Sequence, residues 1–479
     1  MSTLRSLRLL GAVEAGTVTG TQLQIYLNDV GRASEFSALL SNRGQSRRMA
    51  GSPLTMSAIT SSPTAVDIIF KAATVATSAA CTAVVTSPIA MSSVSNSALS
   101  LLSLSSNPVS WSIFNTSIYY EANVRSVLAL LGGIDPAAYP TVDLLISSSI
   151  SMGDIAATPY AMSALVASAP TTTIMANNAA AMAMVASNPI SIDIVAKQTS
   201  VMSIIANSSA AITEIISRST ATTKMAYYPG AITAISNVPA AWASFLSGPY
   251  FAANISLIVA NLVGISTSKF PTLSSIIADS TALGLVSNNT QAVQALASNS
   301  AAMSTLAISP NIGIVLGSKI SMSVIGPNTS AMASFLNAPG AWSGLFASSV
   351  AKGYIVISTA LVDIIAGNSA LVSYLGSIAK ITQPATIPDG LVGTYQTFDG
   401  GQPSKVLVLS VKEVGIAATF SDYKLAGSVM AGAAAGATMH VSSVAWVAGV
   451  AGYTNLTWDL LAAGVTAATL PIIKYVDMS

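Results

Sequence analysis

Charge is what this chain has least of. Of its 479 residues only 8% are Asp, Glu, Lys or Arg, against about 25% in ordinary soluble domains. Nineteen basic and eighteen acidic residues leave a net charge of +1. No field of one sign is therefore available to draw nucleic acid, an anionic membrane or an acidic substrate. The few charges are unevenly placed. Residues 1–50 hold nine of them, six being Arg, whereas residues 225–268 hold none. The single cysteine, Cys81, excludes an internal disulfide. It stands where sister segments place Met or Trp, so a small buried hydrophobe is expected there. The single histidine, His440, lies far from it. Nucleophilic catalysis needs a base held by a third group, and zinc needs three or four ligands. One Cys and one His meet neither demand.

Long apolar runs are missing as well. A mean hydropathy of +0.65 would suit a membrane protein, but a spanning helix needs about 20 predominantly apolar residues. Here Ser, Thr, Asn or Pro interrupts every few positions, and even the charge-free stretch contains Pro229, Pro239 and Pro249. No membrane span and no signal peptide are expected. Nucleotide-binding fingerprints are absent too, since GAAAG at 432–436 has no Lys after it. The acidic residues are mostly isolated. Asp67, Asp193 and Asp363 recur at one repeat position, where the expectation is a carboxylate complementing a helix N-terminus. Asp389, Asp399, Asp422 and Asp459 could hold Ca²⁺ only if loops brought them together. The reading is no catalytic residue, no cofactor and no metal.

What the chain does have is a ten-residue repeat. From 151 it reads SMGDIAATPY, AMSALVASAP, TTTIMANNAA, AMAMVASNPI and onward to AWASFLSGPY. The fifth slot is apolar in all ten copies, from Ile155 and Leu165 to Ile235 and Phe245. The second slot is Met, Ile or Trp in eight, and Pro fills the ninth in five. Apolar slots two, five and partly six have helical i, i+3, i+4 spacing. A Ser, Thr or Asn at slot eight followed by Pro at slot nine reads as an N-cap and a first-turn proline. Each unit is thus a helix of about eight residues and a short bend. Ten residues in three turns do not fit one continuous helix, and recurring Pro would break it. Helices this short are marginal alone, so they must stack around a shared apolar spine. Trp111, Trp242 and Trp342 fall in the second slot and are read as core.

The expected fold class is mostly α: a solenoid of short helices with a ten-residue repeat, plus a small C-terminal β-rich domain. Residues 1–54 read as two or three short helices broken at Gly31 and Gly44, forming a docking segment. Residues 55–380 are the repeat, with register slips near 75–80, near 150 and between 290 and 320. Residues 381–479 carry short strand-like stretches such as KVLVLSV and TMHVSSVAWV, with Trp446 and Trp458 expected in their core. Arg43, Arg47 and Arg48 form a basic cluster, read as a solvated or partner-docking helix face.

The Arg-rich start GRASEFSALLSNRGQSRRMAG running into decads of the AMxxVAxSPx type resembles the repeat-bearing virion proteins of tailed bacteriophages. The resemblance covers residues 1–380. It implies a non-enzymatic virion protein, such as a tail fibre or tail-associated spacer and attachment element. A head or collar fibre or a decoration protein is the alternative within that class, and a surface adhesin or carbohydrate-binding protein the alternative outside it. Partners would be other virion proteins, further copies in a homotrimer, and a host surface receptor met by the C-terminal domain.

Overall fold

The computed structural model describes residues 2–71, 78–356 and 358–378, and beyond them the backbone of nine short strand segments between 380 and 477. The chain forms two compact units, Met1–Asn254 and Ile255–Ser479. Thirty-four helices occur among the described residues, most of eight or nine residues.

The central stretch follows the decads closely. Helices run Ser149–Ala157, Pro159–Val166, Ala169–Asn177, Ala179–Ser187 and Pro189–Ala196, and continue at the same pace to Pro239–Leu246. Slot eight is the N-cap throughout. Ser168, Asn178 and Ser208 each accept a hydrogen bond from the backbone N–H three residues on. At Tyr228 and Val238, which form no side-chain cap, Pro follows and removes one donor that would need a partner. The chain bends by 103° between Ala179–Ser187 and Pro189–Ala196 and by 105° between Thr199–Ala206 and Ser209–Ile216. Three helices therefore bring the chain most of the way round.

Stacking follows from that geometry. In the first unit most helices pack on the one three places earlier: Thr199–Ala206 under Pro229–Ser236, and Ala179–Ser187 under Ser209–Ile216. The same rule holds inside the second unit, where Thr290–Ala297 meets Lys319–Ile325 and Ser300–Ala307 meets Thr329–Leu336. One coil is thus three helices, about thirty residues. Slot five is fully buried in all ten copies from Ile155 to Phe245. The expected spine is there, but it is broader than slots two, five and six. Slot one is buried too, through Ala161, Ser191, Ala211 and Ala231. Large side chains at two and five fill the interior, while Ala or Ser at one and six lets neighbouring backbones approach.

The N-terminal residues form four helices rather than two or three: Ser2–Glu14, Gly20–Leu27, Val30–Leu40 and Arg43–Ala50. Gly31 and Gly44 do not break them. The breaks fall just before, at the N-caps Asp29 and Asn42, whose side chains accept from Arg32 N and from Gly44 N and Gln45 N. Three of these helices join the three-apart stacking, with Arg43–Ala50 on Ser78–Val85, while Ser2–Glu14 packs on Val30–Leu40 and Pro53–Thr60.

Two longer helices interrupt the decads, Tyr120–Leu131 and Phe251–Val263. Each ends at a glycine in the left-handed region, Gly133 at φ 72° and Gly264 at φ 70°. The first lies just ahead of the slip expected near 150. The second is an interruption that the decad pattern does not announce, because its residues keep the apolar texture of the repeat. A milder slip does occur at the six-residue helix Ile312–Gly317, within the interval expected.

Beyond Ile378 the longest segment, Val406–Lys412, pairs antiparallel with Ile472–Asp477. Most of the region expected to be a compact β-rich domain lies outside the described residues.

The caps do more than start helices. Ser208 Oγ accepts from Ala211 N at 3.3 Å and donates to Ala176 O, one coil away, at 2.6 Å. Ser208→Ala removes both bonds and leaves a buried carbonyl without its donor, so a loss of about 1–2 kcal/mol is expected. Val238→Ala, at an equivalent corner with no side-chain bond, should cost clearly less in the same urea titration.

Candidate functional site

The arginine cluster sits on the helix Arg43–Ala50, which buries Ser46, Met49 and Ala50 and so turns Arg43, Arg47 and Arg48 outward. Arg43 and Arg47 are four residues apart and share one face. Among the described residues neither forms a salt bridge. Arg48 differs: its guanidinium is bonded to Glu14 of the helix Ser2–Glu14. The three are one group in sequence but two in space. Arg48 braces the first helix, and Arg43 with Arg47 forms the exposed basic pair.

A second constellation was not visible in the sequence. The helices Pro189–Ala196 and Ser219–Tyr227 are stacked three apart, which brings residues 31–35 positions apart into contact. Asp193 Oδ1 accepts from Lys224 Nζ at 2.7 Å and from the Tyr228 hydroxyl at 2.8 Å. Its Oδ2 pairs with Lys197, one turn further along the same helix. Lys197 Nζ also lies 5.8 Å from the centre of the Tyr228 ring. The Asp193 side chain is only 19% exposed. That partial burial pushes its carboxyl up, but the hydrogen bonds from Lys197, Lys224 and Tyr228 outweigh it and hold the group at about 2. The same bonds raise both lysines. Burial, and then the bond to Asp193, raises Tyr228.

These contacts correct the helix-dipole reading of the recurring aspartates. Asp193 is the fifth residue of its helix and Asp67 the fifth of Pro63–Phe70, both past the first turn. Asp67 instead pairs with Lys71 at 3.0 Å and accepts from Ser103 Oγ at 2.8 Å across a coil. Chemically, Asp193 has both oxygens occupied and stays ionised far below neutral pH. It is a clamp between coils, not a proton acceptor.

The other candidates are structural or fall outside the description. Cys81 is fully buried, its Sγ 3.9 Å from Ser110 O, and burial pushes the thiol up to about 11. Trp242 and Trp342 are buried, the latter donating from Nε1 to Leu336 O at 2.8 Å. Trp111 is half-buried, stacked on Phe114 with ring centres 5.8 Å apart. An open groove of about 610 Å³ is lined by Asp143, Thr173, Asn177 and Asn178, with no converging set of titratable groups. Among the described residues no three His, Cys, Asp or Glu side chains come together as a metal site. No single helix there is long and apolar enough to cross a membrane. The side chains of His440, Trp446, Trp458, Asp422 and Asp459, and all of Asp389 and Asp399, lie outside the described residues.

No protein-family model matches this chain, and no curated protein matches it in sequence.

Two measurements check these assignments. The folded carboxyl of Asp193 titrates below its unfolded value of 3.8, so its contribution is present above about pH 4 and disappears as pH falls through about 2. Asp193→Asn should lower stability at pH 7 by no more than about 2 kcal/mol, allowing for the exposed lysines. The gap to wild type should close between pH 4 and pH 2. Cys81 should be inert to a thiol-specific reagent in the native protein and react at once in denaturant. Rapid labelling of the folded chain would contradict its packing.

Proposed function

We propose that the chain is a non-enzymatic structural protein of a bacteriophage virion, a tail fibre or tail-associated component acting as spacer and attachment element. The observation that carries this reading is the stacking rule. Within each unit coils follow one another by the same buried slots, with Ser and Asn corner bonds recurring, so the described repeat is made to extend rather than to enclose a site. Such quasi-one-dimensional arrays serve as scaffolds and spacers. The outward slots support it further. They carry Ser, Thr, Ala and Asn where a free-standing solenoid would carry Lys and Glu. Small, weakly hydrated side chains let neighbouring copies pack closely, and a homotrimer is the assembly proposed.

In this reading residues 1–54 dock on another virion protein through Arg43 and Arg47, with Arg48 holding the docking helix in place through Glu14. Residues 381–479 form a compact β-rich domain that meets the host receptor.

Mass spectrometry of purified particles tests the assignment directly. The chain is expected among the virion proteins, and its absence from particles would overturn the proposal. Cross-linking within those particles then separates a tail position from a head, collar or decoration one. Arg43→Glu with Arg47→Glu should abolish incorporation while the helical circular dichroism stays unchanged; normal incorporation would refute the docking role.

A further inference from the structure

The two long helices that interrupt the decads are copies of one another, and so are the segments that come after them. Set 131 residues apart, YYEANVRSVLALLGGIDPAAYPTVDLLISSS (119–149) and YFAANISLIVANLVGISTSKFPTLSSIIADS (250–280) agree at eleven of 31 positions. The identities include Asn123 with Asn254, Gly133 with Gly264, Ile134 with Ile265, and the pair Pro140-Thr141 with Pro271-Thr272. Seven of the other twenty pair one apolar or aromatic residue with a similar one, such as Tyr120 with Phe251 and Val124 with Ile255.

The structure shows that the shared letters do the same work in both places. Asn123 and Asn254 each donate from Nδ2 to the carbonyl four residues back, at 2.7 and 2.9 Å. Gly133 and Gly264 take φ of 72° and 70°. The next residue closes the helix end, Ile134 N to Ala129 O at 2.7 Å and Ile265 N to Ala260 O at 3.0 Å. Thr141 and Thr272 then cap six-residue helices, Val142–Ser147 and Leu273–Ala278, with φ of −127° and −128°. A related corner opens the chain: Ser2–Glu14 ends at Gly16, φ 71°, and Thr17 N meets Ala12 O at 2.9 Å. These are the only three positive-φ glycines among the described residues.

The count of helices completes the pattern. Twelve α-helices run from Tyr120–Leu131 to Pro239–Leu246, and twelve from Phe251–Val263 to Ser369–Ile378. Twelve is four coils of three, so each corner recurs at the same phase of the coil. A unit that merely multiplied decads would have no reason to restore that phase, that glycine and that cap together.

We infer that the chain is built in whole modules: residues 119–249 are one four-coil module, repeated once as 250–380, and the long-helix corner opens each copy. This rests on the spacer reading and deepens it. Four coils at roughly 9–10 Å per helix layer make each module about 35–40 Å along its own axis. The matched corners also make one copy able to stand in for the other. Excision of 119–249 puts Phe251, Ile255, Ile258 and Val259, all buried in their own setting, where Tyr120, Val124, Val127 and Leu128 were buried.

Two variants of the full chain test this. The first lacks residues 119–249, joining Ile118 to Tyr250. The second carries residues 119–149 in place of 250–280. Both are expected to keep the wild-type helical signal per residue and to unfold cooperatively, within a few degrees of wild type. Loss of the native signal in either one overturns the module. Small-angle X-ray scattering on the first variant addresses the spacer reading separately. If the module serves as a spacer, the maximum dimension should fall measurably below that of wild type. A shortened chain that folds but shows no such decrease would leave the module standing and refute its use as a spacer.

Discussion

A helix of eight residues is nearly all ends. Its first four N–H groups and last four carbonyls have no partner inside it, so a chain of such helices can bury its backbone only if the corners supply what is missing. Here, at many corners, one side chain serves two helices. A Ser hydroxyl accepts from its own helix and donates to the end of the helix one coil below, as at Ser97 with Thr60 O, Ser318 with Ser287 O and Ser348 with Leu316 O. Asparagine does the same with its two different atoms: Asn328 and Asn368 accept through Oδ1 and donate through Nδ2 to Ala297 O and Leu336 O. Ala could do neither. The decad and the three-helix coil are therefore one constraint, since the cap that sets the period also reaches back some thirty residues.

Packing agrees with that bonding. Slots one, two, five and six of each helix face inward, and two of the four are small. Bulk at two and five with Ala or Ser at one and six keeps the coils close enough for the corner side chains to reach the coil below. The few charges serve the same end. Asp193 joins Lys197 beside it to Lys224 across a coil, and Asp67 joins Lys71 beside it to Ser103 across a coil. Of the six charged residues between 150 and 254, Asp193, Lys197 and Lys224 meet in one clamp, and Glu214 with Arg218 forms a local pair four residues apart.

How legible this is in the letters differs from one element to the next. Helix length, the caps at slot eight, the role of Pro and the burial of slot five can all be read, because each depends on residues within ten of one another. Slot one gives no such sign, because its residues are small and often polar, and nothing in Ser191 or Ala211 signals burial without the neighbouring coil. The 131-residue module is present in plain letters, in Gly-Ile and Pro-Thr at matching distances. It is hidden by the stronger ten-residue signal around it, whose apolar texture the long helices share. At the N-terminus Gly31 and Gly44 suggest breaks, yet Asp29 and Asn42 make them, since a side-chain oxygen at the N-cap decides where a helix begins.

The sequence by itself determined the local rule: a short helix, a capped corner and an apolar stripe, repeated, in a chain with almost no charge to spare. All of that follows from preferences acting over a few residues. Only the tertiary structure decided that three helices make a coil, that Arg48 belongs to Glu14 while Arg43 and Arg47 form no salt bridge among the described residues, and that Asp193 answers to Lys224. The angle at each corner sums contributions from cap, proline and packing that no single residue type carries. Once that angle brings the fourth helix over the first, it chooses partners thirty residues away, a distance at which the letters alone carry no mark of contact.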